Sequence, residues 1–242
     1  MTEYQRRVSE RLNQNELEGA KEGLSTFFSK VYAYMTFGLL ITALMAYMIS
    51  TSSEALSILY TETGFSIWGW IALLSPLAIL LIFGGMIESA SVGTLQIIFT
   101  LFSALMGISM SSIFLVYEME SICQVFLITA GTFAGMSIWG FVTKTDLTSM
   151  GSFLGMALWG LIIASVANFF FKSPQMYYII SYVGVIVFVG LTAYDTQKIK
   201  QTYSSYDDSS IVGKKALMGA LTLYLDFINL FLYLLRILGK KK

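Results

Sequence analysis

The sequence predicts an all-α, polytopic membrane protein that folds as a single bundle of seven transmembrane helices. Two observations carry this prediction. Apolar residues make up 56% of the chain and charged residues only 12%, which is about half of the roughly 25% that a soluble domain carries. The charged residues are also spaced so that they leave seven long apolar runs, and a helix needs about 20 apolar residues to cross the hydrocarbon core.

The positions of the charges set the approximate limits of these helices. Six runs contain no charged residue and hold 22 to 29 residues each, and the seventh, residues 216–235, contains only Asp226. Because backbone polar groups cannot remain unpaired in lipid, such runs are predicted to be helical. The predicted spans are residues 31–52, 66–87, 92–116, 121–142, 150–171, 176–198 and 214–238. Short linkers favour one domain, residues 29–239, in which consecutive helices are antiparallel.

Two polar tails flank the predicted domain, and their basic residues bear on its orientation. Residues 1–28 form a polar N-terminal tail, and residues 240–242 a basic C-terminal one. Lysine and arginine are concentrated before the first helix and in residues 198–215, whereas residues 51–65 have none. The positive-inside rule then places the N-terminus in the cytoplasm. Seven crossings would leave the basic C-terminus outside, so either the last segment re-enters or this tail is an exception; we expect seven crossings.

Composition excludes several kinds of chemistry. The chain has no histidine, one cysteine and a formal net charge of zero. Zinc sites of the usual Cys/His type and histidine acid–base catalysis are therefore excluded, and no nucleic-acid partner is expected. A retinal protein is excluded because residues 216–235 contain no lysine for a Schiff base. Any proton transfer must be carried out by carboxyl groups, and we expect neither enzymatic activity nor an organic cofactor.

Small residues recur at four-residue spacing in three of the predicted helices. This spacing lets helix backbones approach closely in lipid, so it predicts tight packing of the bundle. The repeats are Ser103, Gly107 and Ser111, Gly131 and Gly135, and Gly151 and Gly155.

Two aspartates lie inside the apolar region. A carboxylate in hydrocarbon costs about 2.5–3.5 kcal/mol on insertion scales, so such residues persist where they face a partner, a cavity or water. Asp195 and Asp226 flank a helical hairpin whose loop centres near residue 210, which brings them to similar depth, within about one helical turn of 5.4 Å. Their predicted polar neighbours are Thr192, Thr222 and Asn229. The alternative is that Asp195 is an interfacial charge at a helix end.

A pair of carboxyl groups in contact has a defined chemistry. In a low dielectric the two cannot both ionise cheaply, so they share one proton. In the protonated state they clamp the two helices with a hydrogen bond, and in the ionised state they repel. The ionised pair also offers hard oxygen ligands that suit Ca²⁺. The chain has no calcium-binding loop, so Asp195 and Asp226 are predicted to form a transient metal site.

Other carboxylates lie near the predicted helix ends. Glu88 is expected at the cytoplasmic end of the second helix, and Glu118 and Glu120 in an external turn. Each is a candidate residue for an ion entrance, with a solvated helix end as the alternative.

Three segments resemble one protein family. GLTAYDTQKIK at residues 190–200 and LYLDFINLFLYLLRILG at residues 223–239 are similar to the last two helices of the bacterial branch of the Bax inhibitor-1 (transmembrane Bax inhibitor motif) family, and TKTDL at residues 143–147 matches too. The resemblance covers about residues 25–240. It implies a seven-helix fold with a central last helix and a pH-sensitive calcium leak, in which the family's hydrogen-bonded aspartates fall on Asp195 and Asp226.

One feature of the family is missing here. Some relatives have an arginine after the second helix that pairs with the aspartates, whereas GGMIESAS at residues 84–91 contains Glu88 and no arginine. A latch to arginine is therefore not expected, and gating is expected to differ. The resemblance and the absence of a cleavage site after the first apolar run place the protein in the bacterial inner (plasma) membrane.

Three classes of function compete. The first is a pH-gated calcium or cation leak channel, whose partners are the bilayer and calcium ions. The second is a non-transporting regulator that binds a membrane-anchored ATP-dependent protease or another membrane protein, as some relatives do. The third is an intramembrane aspartyl protease, suggested by Tyr194–Asp195; its G-x-G-D motif is absent, since the second aspartate lies in LYLD at residues 223–226.

Overall fold

The computed structural model describes residues 3–62 and 64–242, with side chains from residue 18 onward. Residues 1 and 2 of the predicted N-terminal tail lie outside the described residues. Within the described part of the chain, the elements are α1 (Glu3–Thr51), α2 (Ser53–Leu59), β1 (Tyr60–Thr61), β2 (Gly64–Phe65), α3 (Ile67–Met86), α4 (Val92–Met110), α5 (Ser112–Val116), α6 (Met119–Val142), α7 (Thr148–Phe171), α8 (Pro174–Thr202) and α9 (Ser209–Leu238).

Seven segments in this part of the chain are long and apolar enough to cross a membrane, which confirms the predicted all-α polytopic fold. They are Glu18–Thr51, Ile67–Met86, Val92–Val116, Met119–Val142, Thr148–Phe171, Pro174–Thr202 and Ser209–Leu238. The first span continues a helix that starts at Glu3, so the polar N-terminal segment is helical from that residue on. The third span joins α4 and α5, which meet at Ser111.

The last helix is central, as expected. α1, α4, α6 and α8 all pack against α9, while α3 packs on the outside of α4 and α7 on the outside of α8. In an apolar stretch of 18 residues of α9, half is buried within the protein. Its fully buried side chains include Leu217, Leu223, Tyr224 and Leu230.

The two ends of the bundle are identified by contacts of the two ends of α9. At the start of α9, Lys214 Nζ donates to the carbonyl oxygen of Glu88 at 2.7 Å; we call this the loop end, because it holds the α8–α9 loop, residues 203–208. After α9, Lys240 pairs with Glu118 at 3.1 Å; we call this the tail end. α9 therefore runs the full length of the bundle, as a crossing helix does.

Helix α2 and a short β-hairpin of β1 and β2 lie between the first two spans, outside the predicted helices. Tyr60 pairs with Phe65, and Thr61 with Gly64. Gly64 has φ of 134°, which favours glycine because a side chain would be strained there. The hairpin leads into α3, whose first turn is capped by Ser66 accepting from the Gly69 amide.

Candidate functional site: a buried pair of aspartates

The structure brings Asp195 and Asp226 together inside the bundle, seven residues before the end of α8 and near the middle of α9. Asp195 lies on α8 and Asp226 on α9, and these antiparallel helices pack closely along their length. Asp226 is only 5% exposed, and Asp195 is half-buried. Their carboxyl groups are within hydrogen-bonding distance of each other. Asp195 is therefore half of a pair within the bundle and not an isolated charge at a helix end.

The surroundings of Asp226 favour a shared proton. Its Oδ2 atom is buried, and no N–H or O–H donor among the described residues reaches it. A buried acceptor without a donor costs about 1–3 kcal/mol, and more for a charged group. A proton held between the carboxyl groups of Asp195 and Asp226 removes one of the two negative charges and so lowers the cost of burying this oxygen.

One cation lies close to the pair. Lys198, one turn after Asp195 on α8, interacts electrostatically with its carboxyl group, and its Nζ lies 5.8 Å from the centre of the Tyr194 ring. Because Lys198 is exposed, water and salt screen this interaction. Lys198 was predicted only as one of the basic residues of segment 198–215; its position three residues after Asp195 was the available signal.

The three polar residues predicted to support the pair do not hydrogen-bond to either aspartate in the described structure. Each bonds instead to the carbonyl four residues earlier on its own helix: Thr192 Oγ1 to Phe188, Thr222 Oγ1 to Met218 and Asn229 Nδ2 to Leu225, at 2.8, 3.1 and 2.8 Å. Such bonds satisfy a polar side chain in an apolar environment without a second helix. Thr192, Thr222 and Asn229 therefore serve the helix backbone.

A chain of hydroxyl groups that was not predicted from the sequence lies next to Asp195. Tyr32 on α1 is bonded to Ser137 on α6 at 2.7 Å, and Ser137 is bonded to Thr196 on α8 at 2.9 Å. A second bond, between Thr42 of α1 and Tyr224 of α9 at 2.6 Å, is fully buried. These partners are far apart in sequence, so no local pattern indicates them.

The family-like segment at residues 143–147 has a clear structural role. Gln197 on α8 accepts from the Leu147 amide at 2.9 Å and donates to the Thr145 carbonyl at 2.8 Å. This segment and the end of α8 are therefore tied together two residues beyond Asp195. Asp146 accepts two bonds from Thr148, and these lower the pKa of its fully exposed carboxyl group.

The three glutamates predicted near ion entrances lie at opposite ends of the bundle. Glu88 is exposed at the loop end, beside Lys214. Glu118 and Glu120 are at the tail end, where Glu118 pairs with Lys240 and Glu120 accepts from Gln124 at 3.2 Å. None of the three contacts the aspartates.

A stable metal centre is not formed by the described residues. No group of three or more His, Cys, Asp or Glu side chains lies close enough together among them to hold a metal ion. Asp195 and Asp226 alone provide at most four oxygens, whereas Ca²⁺ takes six to eight. A calcium ion at the pair would keep part of its water shell.

Comparison with known proteins agrees with the architecture. The family model described as "Inhibitor of apoptosis-promoting Bax1" matches residues 24–242. The "Inner membrane protein YbhL" of Escherichia coli K12 is 46% identical over 224 residues, covering 92% of this chain and 94% of that protein. An uncharacterized protein of Rickettsia prowazekii, RP147, is 44% identical over 91% of this chain and 92% of its own length. YrjE of Lactococcus lactis, also uncharacterized, is 39% identical over 90% of this chain and 92% of its own length. The chain therefore belongs to the Bax inhibitor family of multi-pass membrane proteins, in its bacterial branch.

Proposed function

We propose that the protein is a pH-sensitive calcium, or more generally cation, leak channel of the bacterial inner membrane, gated by protonation of the Asp195–Asp226 pair. The observation that carries the proposal is the contact between these two carboxyl groups on two neighbouring spanning helices. While they share a proton, they clamp α8 to α9. When that proton is lost, two negative charges in contact repel each other in a low dielectric, and the helices are driven apart.

The side chains around the pair support its assignment as a gate in the closed state. From Asp226 towards the tail end, α9 buries Phe227, Leu230, Phe231 and Leu235, so apolar side chains fill the route in that direction. Towards the loop end, Asp195 is only half-buried. Protons can therefore reach the pair from the loop end, while ion passage requires movement of the apolar side chains.

The proposed location and orientation rest on the relatives and on the lysines. The E. coli relative is named as an inner membrane protein. Lys198, Lys200, Lys214 and Lys215 all lie at the loop end, and the positive-inside rule assigns such an end to the cytoplasm. α1 starts from the same end, so the N-terminus is proposed to be cytoplasmic. Calcium is the permeant ion in this proposal, which assigns the chain no cofactor and no catalytic residue.

The test is calcium flux into liposomes that contain the purified protein and an internal calcium dye, measured across a pH series. The wild type is expected to leak more as the pH rises. Asp226→Asn keeps the shape and hydrogen-bonding ability of the side chain but cannot ionise, so its flux is expected to stay low and independent of pH. Asp146→Asn is the matched control, because it removes an exposed carboxyl group outside the spans, and it should leak like the wild type.

Flux that ignores pH in the wild type, or that survives Asp226→Asn unchanged, contradicts the proposal. Absence of flux together with capture of a membrane-anchored ATP-dependent protease would favour the regulator. Cleavage of a transmembrane reporter that is lost in Asp195→Ala would favour the aspartyl protease.

A further inference from the structure

Two of the helices around α9 leave a groove between them. α1 and α6 both pack on α9, yet they make few contacts with each other. The gap contains two adjoining cavities of ≈ 540 Å³ each, which share Tyr32, Ser137 and Ile138. Leu40 and Ile138 at its rim are exposed, so the groove faces the lipid that surrounds the bundle. We call the combined feature the α1–α6 groove.

One half of the groove is apolar and has the length of a membrane leaflet. Its lining includes Leu39, Leu40, Ala43 and Phe133. From Tyr32 to Ala43 is eleven residues of α1, or about 16 Å at 1.5 Å per residue. The hydrocarbon core of a bilayer is about 30 Å thick, so one leaflet accounts for about 15 Å of it. An acyl chain of one leaflet therefore fits this half in length and in chemistry.

The other half is also largely apolar, but it carries the positive charge of the groove. It is lined by Lys21, Ser25 and Ser29 of α1 and by Lys200 of α8. Lys200 Nζ is held in place, because it donates to the Phe141 carbonyl at 2.7 Å and lies 4.8 Å from the centre of the Phe141 ring. Neither Lys21 nor Lys200 pairs with a carboxylate among the described side chains. Two cations that pair with no carboxylate from residue 18 onward, at the mouth of an apolar groove, attract an anion.

The depth of Lys200 matches that of a lipid headgroup. Lys200 lies beside Phe141, whose ring packs against Phe28 at 4.8 Å. Ala43 lies near the middle of the charge-free run of residues 31–53, which we take as the bilayer midplane. Phe28 is fifteen residues from Ala43 on α1, or about 22 Å, and half of a bilayer with its headgroups is about 20–22 Å. Lys21 lies seven residues, or about 10 Å, farther out along α1 than Phe28, and it is exposed. It lines the same cavity as Lys200, so its flexible side chain approaches the headgroup from the water side.

We propose that the α1–α6 groove binds an acidic glycerophospholipid of the surrounding membrane, with an acyl chain in the apolar half and the headgroup phosphate at Lys200 and Lys21. Basic pockets between transmembrane helices are typical sites for acidic headgroups. The inference does not depend on the proposed leak activity, because it uses the groove and its two lysines alone.

The test is native mass spectrometry of the full chain, released from detergent after titration with phosphatidylglycerol or with phosphatidylcholine of identical acyl chains. The wild type is expected to retain one phosphatidylglycerol with about 30-fold preference, since each lysine near an acidic lipid contributes about 1 kcal/mol. The double variant Lys21→Gln with Lys200→Gln should lose this preference. Lys30→Gln with Lys144→Gln removes the same charge outside the groove lining and should keep it.

A third variant, Ala134→Trp, fills the apolar half and should reduce retention of both lipids. Loss of preference in both double variants would reduce the effect to general surface charge and overturn the proposal. Displacement of the lipid by millimolar inorganic phosphate would overturn it too, since the groove would then be a site for free phosphate. Retention of no phospholipid by the wild type would have the same consequence.

Discussion

α7 and α9 are both apolar helices long enough to cross a membrane, but they occupy opposite environments. In an apolar stretch of 18 residues from each helix, only 11% of α7 is buried within the protein, against 50% of α9. α7 packs on the outside of α8, whereas α9 is surrounded by four helices. Hydropathy therefore indicates that a segment spans, but not where it lies in the bundle. In this chain the helix that carries a mid-span carboxylate is the central one, because Asp226 requires protein around it.

The largest loss of stability is expected from a substitution at the point where two helix backbones touch at the centre of the bundle. A Cβ atom on Gly140 of α6 would overlap the backbone of Ala193 on α8, whereas a Cβ atom on Gly155 of the peripheral α7 would meet nothing within 4 Å. Gly140→Val is expected to reduce the free energy of unfolding in mixed detergent micelles by about 3 kcal/mol. Gly155→Val, the control, should change it by less than about 0.5 kcal/mol. Equal losses would mean that the two environments do not differ.

The small-residue repeats predicted helix packing correctly at some positions and wrongly at others. Gly107 lies against the backbone of Thr42, and Gly151 against the ring of Tyr194, as predicted for packing positions. Gly131, Gly135 and Gly155 have open space where a side chain would be, so the packing predicted there is wrong. Four-residue spacing identifies one face of a helix, but the rotation of that face is set by neighbouring helices, which the spacing does not contain.

Truncation of a buried apolar side chain is the second test of the comparison. Leu217 of α9 is fully buried, whereas Leu81 of the peripheral α3 is 78% exposed. Because lipid is as apolar as leucine, the transfer contribution is small, and Leu217→Ala loses mainly packing, at about 2 kcal/mol. Leu81→Ala should be close to neutral in the same detergent assay. A large loss for Leu81→Ala would show that α3 is covered by protein in solution.

The hydroxyl group of Tyr224 offers a smaller and more specific test. It is bonded to Thr42 Oγ1 at 2.6 Å, which links α9 to α1. Tyr224→Phe should reduce the free energy of unfolding by about 1 kcal/mol. The control is Tyr182→Phe on α8, where the side chain is 56% exposed, and no change is expected. If both variants have the same free energy of unfolding, the bond between Tyr224 and Thr42 does not stabilise the centre of the bundle.

The part of the candidate site that could be predicted consists of residues whose type alone is unusual in an apolar span. Asp195 and Asp226 stand out because carboxylates are rare in apolar spans, and the short loop between their helices places them at similar depth. The bonds from Tyr32 through Ser137 to Thr196 could not be predicted. Serine, threonine and tyrosine are common in transmembrane helices, and their pairing depends on helix rotations that the apolar runs leave undetermined.

The smallest effect on stability is expected at the tail end, where a pair of opposite charges is exposed to water. Lys240 and Glu118 pair at 3.1 Å with side chains that are 75% and 36% exposed, so Lys240→Gln should change the free energy of unfolding by less than about 0.5 kcal/mol. Removal of residues 240–242 should cost more, about 1 kcal/mol or above, because backbone bonds from Glu118 to Lys240 and from Lys242 to Val116 are lost with it. Comparing the two variants in the same assay separates the contribution of the ion pair to stability from that of the backbone hydrogen bonds. If Lys240→Gln alone equals the deletion, the ion pair holds the tail. If, as expected, it does not, the basic C-terminus stays at this end because its backbone is bonded there, whatever its charge.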